Sequence, residues 1–415
     1  MNQDFFLKKR MELSKRLPEN SLALVYSGHT AIASNDTEFP FEANRNFYYF
    51  TGLSQPGMFL VVYNFKTAGP EALFIPRANP NQEKWTGKMI SQKECSLASG
   101  ITDIRYVDEF DSALKTLVAR GIESIYLYFE PLEPYQGIPA ENQIAAAVSE
   151  RFPGLALCSL AKITNPLRAV KSPEEVEVMR IASRITKQAF EESVKHIRPG
   201  IREYEVQAAF EYVVKRHGGR IAFNSIVAAG ENATSLHYTA NQSRIEASDL
   251  ILMDCGASYE WYNSDVTRTF PANGTFTEKQ LEIYNIVLEA NQTIIKAVKP
   301  GVTLSQLNAQ LIAFYKRELQ AKGLISSEEE VSEYYYHGVS HSLGLDVHDV
   351  FDRDAKLEQG MVVTVEPGLY FEKYKIGVRI EDDVLVTANG CTVLTADIVK
   401  NPAEIEELMN VWEVK

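Results

Sequence analysis

An α/β amino-terminal domain followed by an α+β domain with duplicated halves is the fold class that this sequence predicts. Three observations carry it. Strand and helix signals alternate through residues 1–165. A Pro-Gly element recurs after 101 residues, each copy flanked by long helical segments. In the last 40% of the chain, acidic residues interrupt short apolar, strand-like runs. A length of 415 residues exceeds one ordinary core, so two domains are expected, 1–165 and 166–415.

Along the first domain, Ser21–Gly28, Phe47–Gly52, Met58–Asn64, Glu71–Pro76 and Ser124–Glu130 read as strands rich in Val, Ile, Tyr and Phe. Asp108–Arg120 and Glu141–Arg151 read as helices. Asn165-Pro166 punctuates the chain and places the boundary within Ile163–Lys171. A helix then starts at Ser172, a good N-cap, with Pro173 at the first helical position and Glu175 closing a capping box. Val178, Ala182, Ile185 and Ala189 give it one apolar stripe.

That helix stops at Ile197-Arg198-Pro199-Gly200-Ile201, and Val298-Lys299-Pro300-Gly301-Val302 repeats the pattern. Amphipathic segments follow both copies, Glu203–Arg216 and Leu304–Ala321, the second with a capping box from Thr303 and Gln306. Pro-Gly is a common helix stop in any fold. The more informative reading is a duplicated helix–helix–sheet half, because strand-like segments with candidate metal ligands come after each copy, the two halves meeting at a pseudo-twofold.

Composition is that of a globular protein, 45% hydrophobic and 23% charged. A net charge of −13 argues against nucleic acid or an anionic membrane as partner, since phosphate binding needs a basic face. The first residues hold no apolar run suited to a signal peptide, and no stretch is long enough to span a membrane. Cys95, Cys158, Cys255 and Cys391 show no paired spacing, so a reducing cytoplasm is the expected compartment.

Five residues stand out as candidate metal ligands. Asp254 ends the apolar run Leu250–Met253, and Asp265 follows eleven residues later. His341 lies in His337-Gly338-Val339-Ser340-His341, with His348 seven residues on. Glu366 ends Val362-Val363-Thr364-Val365, where Pro367 stops further pairing. Glu381 opens Glu381-Asp382-Asp383, which reads first as an acidic turn and second as a ligand. A carboxylate in an apolar run is costly unless it is paired or binds metal. A lone histidine is more often structural, but His337, His341 and His348 fall within twelve residues and His237 lies not far before Asp254. His29, His196 and His217 lack such a context. Carboxylate and imidazole donors suit Mn²⁺ or Co²⁺, and two ions sharing carboxylates hold and activate a hydroxide between them, which points to a dinuclear metallohydrolase.

At these motifs the chain resembles the pita-bread metallopeptidases, in the branch of aminopeptidase P and prolidase that cleaves Xaa-Pro bonds. The resemblance covers nearly the full length and includes a creatinase-like amino-terminal domain. It implies that Asp254 binds one ion bidentately, that Asp265 and Glu381 bridge two, and that His341 and Glu366 complete the second ion's shell, with manganese first and cobalt or zinc as alternatives. It further implies that His237, in Asn232-Ala233-Thr234-Ser235-Leu236-His237-Tyr238, contacts substrate and the tetrahedral intermediate. His348 resembles a second histidine of that pocket and His337 one on its proline side. Tyr370 and Arg379 match residues beside the ligands, and Trp85 resembles a tryptophan that walls the pocket across a subunit contact, which implies at least a dimer. The implied reaction is attack of a bridging hydroxide on the Xaa-Pro bond, with His237 at the oxyanion and Glu366 carrying the proton.

Two features depart from aminopeptidase P. The stretch from Asp349 to Met361 looks short, and Ser342 stands where a bulkier residue is usual. Creatinase lacks the ligand set, methionine aminopeptidase would not need the first 165 residues, and non-catalytic peptide-binding relatives lose ligands. Prolidase, which takes only dipeptides, is the close alternative.

Overall fold

The computed structural model describes residues 1–65, 70–129 and 138–410. They form two compact units, Met1–Leu167 and Arg168–Lys415. No helix among them is long and apolar enough to cross a membrane.

The first unit is built on a six-stranded sheet in the order Ile104–Tyr106, Glu71–Ile75, Phe59–Asn64, Ser21–Tyr26, Ser124–Leu127, Ala156–Ser159. Phe59–Asn64 runs antiparallel to both its neighbours, with Leu22 opposite Tyr63 and Leu24 opposite Val61, and the outer pairs are parallel. Leu22, Leu24, Val61 and Phe74 of the sheet pack with Leu114 and Leu117 of the helix Phe110–Ala119. Buried Arg10, on the helix Gln3–Arg16, makes a bidentate pair with Glu71 (2.6 and 2.9 Å) and donates to the carbonyls of Phe50 and Ser99.

Three readings of this unit need correction. Phe47–Gly52 lies in a helix, Arg45–Thr51, rather than in a strand. Phe47, Tyr48, Tyr49, Phe50 and Thr51 are all buried, so neither a period of two nor one of 3.6 is visible in them. The ends decide: the Asn44 side chain accepts from the N–H groups of Asn46 and Phe47, and Gly52 closes the helix at φ 69° with Phe6 against its Cα. Asn165-Pro166 does not break the chain but lies inside the helix Ala161–Ala169. The strand expected over Ser124–Glu130 ends at Leu127, and Glu130 lies outside the described residues.

The second unit repeats one plan. The helices Pro173–Val194 and Glu203–Arg216 precede the antiparallel strands Ile226–Ala229, Leu250–Cys255 and Val266–Pro271. The helices Glu278–Ala297 and Leu304–Ala321 precede Val362–Val365, Asp382–Val386 and Cys391–Val393, with the hairpin Gly368–Phe371/Ile376–Arg379 inserted. The capping boxes of Ser172 with Glu175 and of Thr303 with Gln306 are both formed.

Local geometry settles what the Pro-Gly copies mean. Gly200 and Gly301 sit at φ 94° and 89°. Gly200 donates to the Ile245 carbonyl and Ile245 donates back to Ile201; Gly301 donates to Leu357 and Leu357 donates back to Val302. A bare helix stop would not reproduce this two-bond clasp onto a distant loop in both halves. One apolar core, including Phe190, Phe210, Ile251, Tyr284, Leu311, Val363 and Val378, runs through the whole unit.

Gly256 follows the first aspartate's strand where the Ser264 carbonyl oxygen occupies the space of a Cβ. Replacing Gly256 with Ala should force Asp254 and Asp265 apart and lower stability by about 1–3 kcal/mol. Thermal denaturation of the variant checks this, and an unchanged melting temperature would contradict it.

Candidate metal centre

Strand ends deliver the acidic side chains in the same way from each half. Asp254 lies near the end of Leu250–Cys255 and Asp265 immediately before Val266–Pro271. Glu366 immediately follows Val362–Val365 and Glu381 immediately precedes Asp382–Val386. His341 comes from an irregular segment, where its N–H donates to Thr364 Oγ1 and its carbonyl accepts from the Thr364 N–H. One buried amide ties the second half together. Asn291 Nδ2 donates to the carbonyls of Val365 and Ile380, the residues just before the two glutamates (3.1 and 3.2 Å).

These five side chains face one another. His341 Nε2 lies 3.4 Å from Asp265 Oδ2, 3.6 Å from Glu366 Oε1 and 3.9 Å from Glu381 Oε1. One ligand atom each from Asp265, His341 and Glu381 falls within 4.8 Å of the others. His341 Nδ1 lies 3.0 Å from the Ser342 carbonyl, which places one proton there and turns Nε2 toward the acids as the atom a cation would take in place of its proton. Arg379 Nη2 donates to Asp254 Oδ2 at 2.6 Å, and Arg379 Nε donates to Thr267 Oγ1, whose hydroxyl donates to Glu381 Oε2 at 2.6 Å. One guanidinium thus orients an acid from each half. Asp254 Oδ1 is buried with no hydrogen-bond partner among the described residues.

The charges do not balance without a cation. Burial pushes the Asp254 carboxyl up to about 7 despite Arg379, and burial with the neighbouring acids raises Glu381 well above the usual range. Glu366 is raised by burial against the pull of His341 and Arg379. Burial opposes charge on His341, yet Asp265 and Glu366 hold its pKa up to about 9. At ~4 Å and an effective dielectric of ~20, each carboxylate pair costs about 4 kcal/mol. Hard oxygen donors, one imidazole whose Nε2 faces them and an orphaned buried oxygen fit a divalent cation, and no thiol is among the lining groups.

Around the acids lies a cavity of about 590 Å³. Asp254, Asp265, His341, Glu366 and Glu381 line it together with His237, His337, His348 and Arg379. Tyr370 is buried beneath, its Oη accepting from Arg379 Nη1 (3.0 Å) and 2.9 Å from His337 Nε2. Arginine has no acceptor, so the Tyr370 hydroxyl must donate to His337 Nε2, which leaves the His337 Nδ1 proton for the Gly338 carbonyl at 2.8 Å. Both nitrogens of His337 are engaged, and burial and Arg379 take its pKa down to about 3. It is a neutral wall of the cavity. His348 packs against His341, with centroids 4.1 Å apart and the rings tilted by 38°, and burial followed by His341 lowers its pKa. Trp85 is not among the lining side chains; it lies on the helix Pro80–Thr86 and is 90% exposed.

Several lining residues carry no sequence signal that singles them out. Phe223, Leu236 and Val347 add apolar surface, and Arg353 brings a cation from the segment after His348. Asp382 is held near the carboxylate minimum, to about 2, as Arg268 and Lys400 overcome its burial. Its neighbour Asp383 accepts from the Asp265 N–H and the Ser264 hydroxyl.

Comparison with known proteins gives these features a context. The model of metallopeptidase family M24 matches residues 177–388, and that of the aminopeptidase P N-terminal domain matches 6–126. The chain is 34% identical to the Xaa-Pro aminopeptidase of Escherichia coli K12 across 97% of each, and 28% identical to the Xaa-Pro dipeptidase of Pongo abelii across 97% of this chain and 93% of that one. Among solved structures, a candidate aminopeptidase P from Bacillus anthracis is 40% identical with a TM-score of 0.97. Aminopeptidase P from E. coli with the inhibitor Pro-Leu is 33% identical with a TM-score of 0.92, and full coverage holds for both structures.

A pH prediction follows from the raised groups. The folded, metal-free chain holds protons on Asp254, Glu381 and His341 that the unfolded chain releases at lower pH, so its stability falls as pH rises through the folded values. The depressed His337 acts in the opposite sense, but only below about pH 6.5, the unfolded histidine value. Calorimetry should therefore show the melting temperature of the metal-free chain dropping between about pH 7 and 9, with a smaller drop once Mn²⁺ is added. A flat metal-free profile would contradict the assignment.

Proposed function

We propose that this chain, which belongs to metallopeptidase family M24, removes the N-terminal residue from peptides that carry proline in the second position. It is a metal-dependent hydrolase of the Xaa-Pro aminopeptidase kind. The observation that carries the reading is one cavity walled by five candidate ligands and three further histidines, in a chain alike over nearly its whole length to a proline-specific aminopeptidase.

Asp254, Asp265, His341, Glu366 and Glu381 would together hold two divalent ions. When bound, such ions supply Lewis-acid polarisation of the scissile carbonyl and a nucleophilic water near neutral pH. Manganese is the preferred metal on the chemistry of an acid-rich donor set, with cobalt and zinc as alternatives. A Zn-substituted E. coli aminopeptidase P in complex with product is among the relatives.

The remaining roles belong to the protein's own groups. The bond before proline is a tertiary amide without N–H, so its departing nitrogen must be given a proton. Glu366, which lines the cavity beside His341, would take the proton released by the attacking water and pass it to that nitrogen. His237 faces the cavity as a donor to the developing oxyanion, and His348 lines the same space. His337 and Tyr370, locked to each other and to Arg379, give a rigid wall for the pyrrolidine ring. Arg379 holds Asp254 in place. Exposed Trp85 is assigned to a subunit contact, which makes the protein a homo-oligomer, and four free cysteines fit a reducing cytoplasm. The catalytic domain is taken as 166–415 and the creatinase-like domain as 1–165.

Assays of the chelated and reconstituted enzyme test the reading. Release of the first residue from an Xaa-Pro-Yaa tripeptide should depend on added Mn²⁺, Co²⁺ or Zn²⁺, and cleavage of the Xaa-Pro dipeptide alone would favour prolidase instead. Glu366→Gln should lower kcat about 10²–10⁴-fold. Turnover of the variant near the wild-type rate would remove Glu366 from the proton path.

A further inference from the structure

His237 reaches the cavity from an irregular loop, and its side chain makes no hydrogen bond to another described residue. Its place is therefore set by the loop backbone. Apart from the short 3-10 turn Gly230–Thr234, residues 230–249 form no helix or strand that could fix that backbone.

Asn241 ties the far arm of the loop to Val227, Ser225 and Gln207, and one buried carboxylate joins the arms on the two sides of His237. Glu203, the first residue of the helix Glu203–Arg216, is completely buried. Its Oε1 accepts from the Ala229 N–H (2.8 Å) and Asn232 Nδ2 (2.9 Å). Its Oε2 accepts from Tyr238 Oη (2.9 Å) and the Ser243 N–H (2.8 Å). The four donors come from both sides of His237, and one is its immediate neighbour. No cation pairs with Glu203 among the described residues. A buried acid without a counter-ion persists only when hydrogen bonds satisfy it fully, and here two donors meet each oxygen. Asn232 Nδ2 also reaches Ser243 Oγ (2.9 Å), which closes the loop upon itself. Glu203 does not line the cavity, so any effect on the reaction runs through the loop.

We propose that Glu203 is a positioning residue: it clamps residues 229–243 so that His237 is held toward the reacting carbonyl. The role assigned to His237 rests on the Xaa-Pro reading above; the clamp itself rests on the hydrogen bonds. Replacing the carboxylate with an amide keeps the shape but turns one acceptor into an NH₂ that faces two donors.

The test uses the metal-loaded full chain. Glu203→Gln should lower kcat/KM on an Xaa-Pro-Yaa tripeptide by about tenfold to a hundredfold, mainly in kcat, as expected for a displaced group. Its Mn²⁺ affinity should stay within about twofold, because none of the candidate ligands is touched. In a His237→Ala background the same substitution should cost less than about twofold, since the group it positions is gone. Tyr238→Phe removes one donor of the four and is the milder variant should Glu203→Gln fold poorly; its loss should also vanish without His237. Amide hydrogen exchange over residues 229–243 should quicken in Glu203→Gln while the ligand-bearing strands stay protected. Equal losses in both backgrounds would mark Glu203 as general scaffold and overturn the proposal, as would unchanged exchange with full activity. Faster exchange in a chain that never cleaves Xaa-Pro bonds supports the clamp and counts against the assigned activity.

Discussion

Mutual repulsion among Asp254, Asp265, Glu366 and Glu381 constrains everything else in the carboxy-terminal unit. Arg379 pairs with Asp254 directly and reaches Glu381 through Thr267, and His341 faces three of the acids. Two cationic side chains cannot neutralise four buried carboxylates, and the upward shifts of Asp254, Glu366 and Glu381 record the deficit. A cluster of this kind is held by rigid elements, since a loose one would relax by moving the charges apart.

The duplicated fold supplies that rigidity. Equivalent strand ends from the two halves present an aspartate pair and a glutamate pair, and the same clasp anchors the Pro-Gly turn of each half. Asn291 ties the chain ahead of both glutamates, while Lys400 donates to Asn291 Oδ1 and to Asp382. Arg268 joins Asp382 to the Glu381 carbonyl. Behind the acid cluster Arg268, Lys400 and Asp382 are thus charged and paired with one another, whereas the acids in front are underpaired toward the cavity. Stability resides on one side of the strands and chemistry on the other.

Much of this was legible in the sequence, for a physical reason. A buried ligand acid at a strand end is expensive, so Asp254 and Glu366 announce themselves locally, and the capping boxes at Ser172 and Thr303 use partners only three residues apart. Glu381 was ambiguous because its neighbours Asp382 and Asp383 are acidic too, and only the fold reveals that Arg268 and Lys400 claim Asp382 while Ser264 holds Asp383. The helix Arg45–Thr51 was misread because burial on all sides erased its periodicity. Glu203, Thr267 and Asn291 gave no warning: their roles depend on partners well removed along the chain, such as Thr267 and Arg379, 112 residues apart. Trp85 is singled out by resemblance alone, and its side chain, 90% exposed on the helix Pro80–Thr86, carries no local signal of the subunit contact proposed for it.

The central claim is that the acid cluster exists to hold a pair of cations. Anomalous diffraction at the manganese edge, from crystals of the Mn²⁺-reconstituted chain, tests it most directly. The account predicts two peaks, both flanked by Asp265 and Glu381, one adjoining Asp254 and the other adjoining His341 and Glu366. A single peak, or none among these residues, would contradict it.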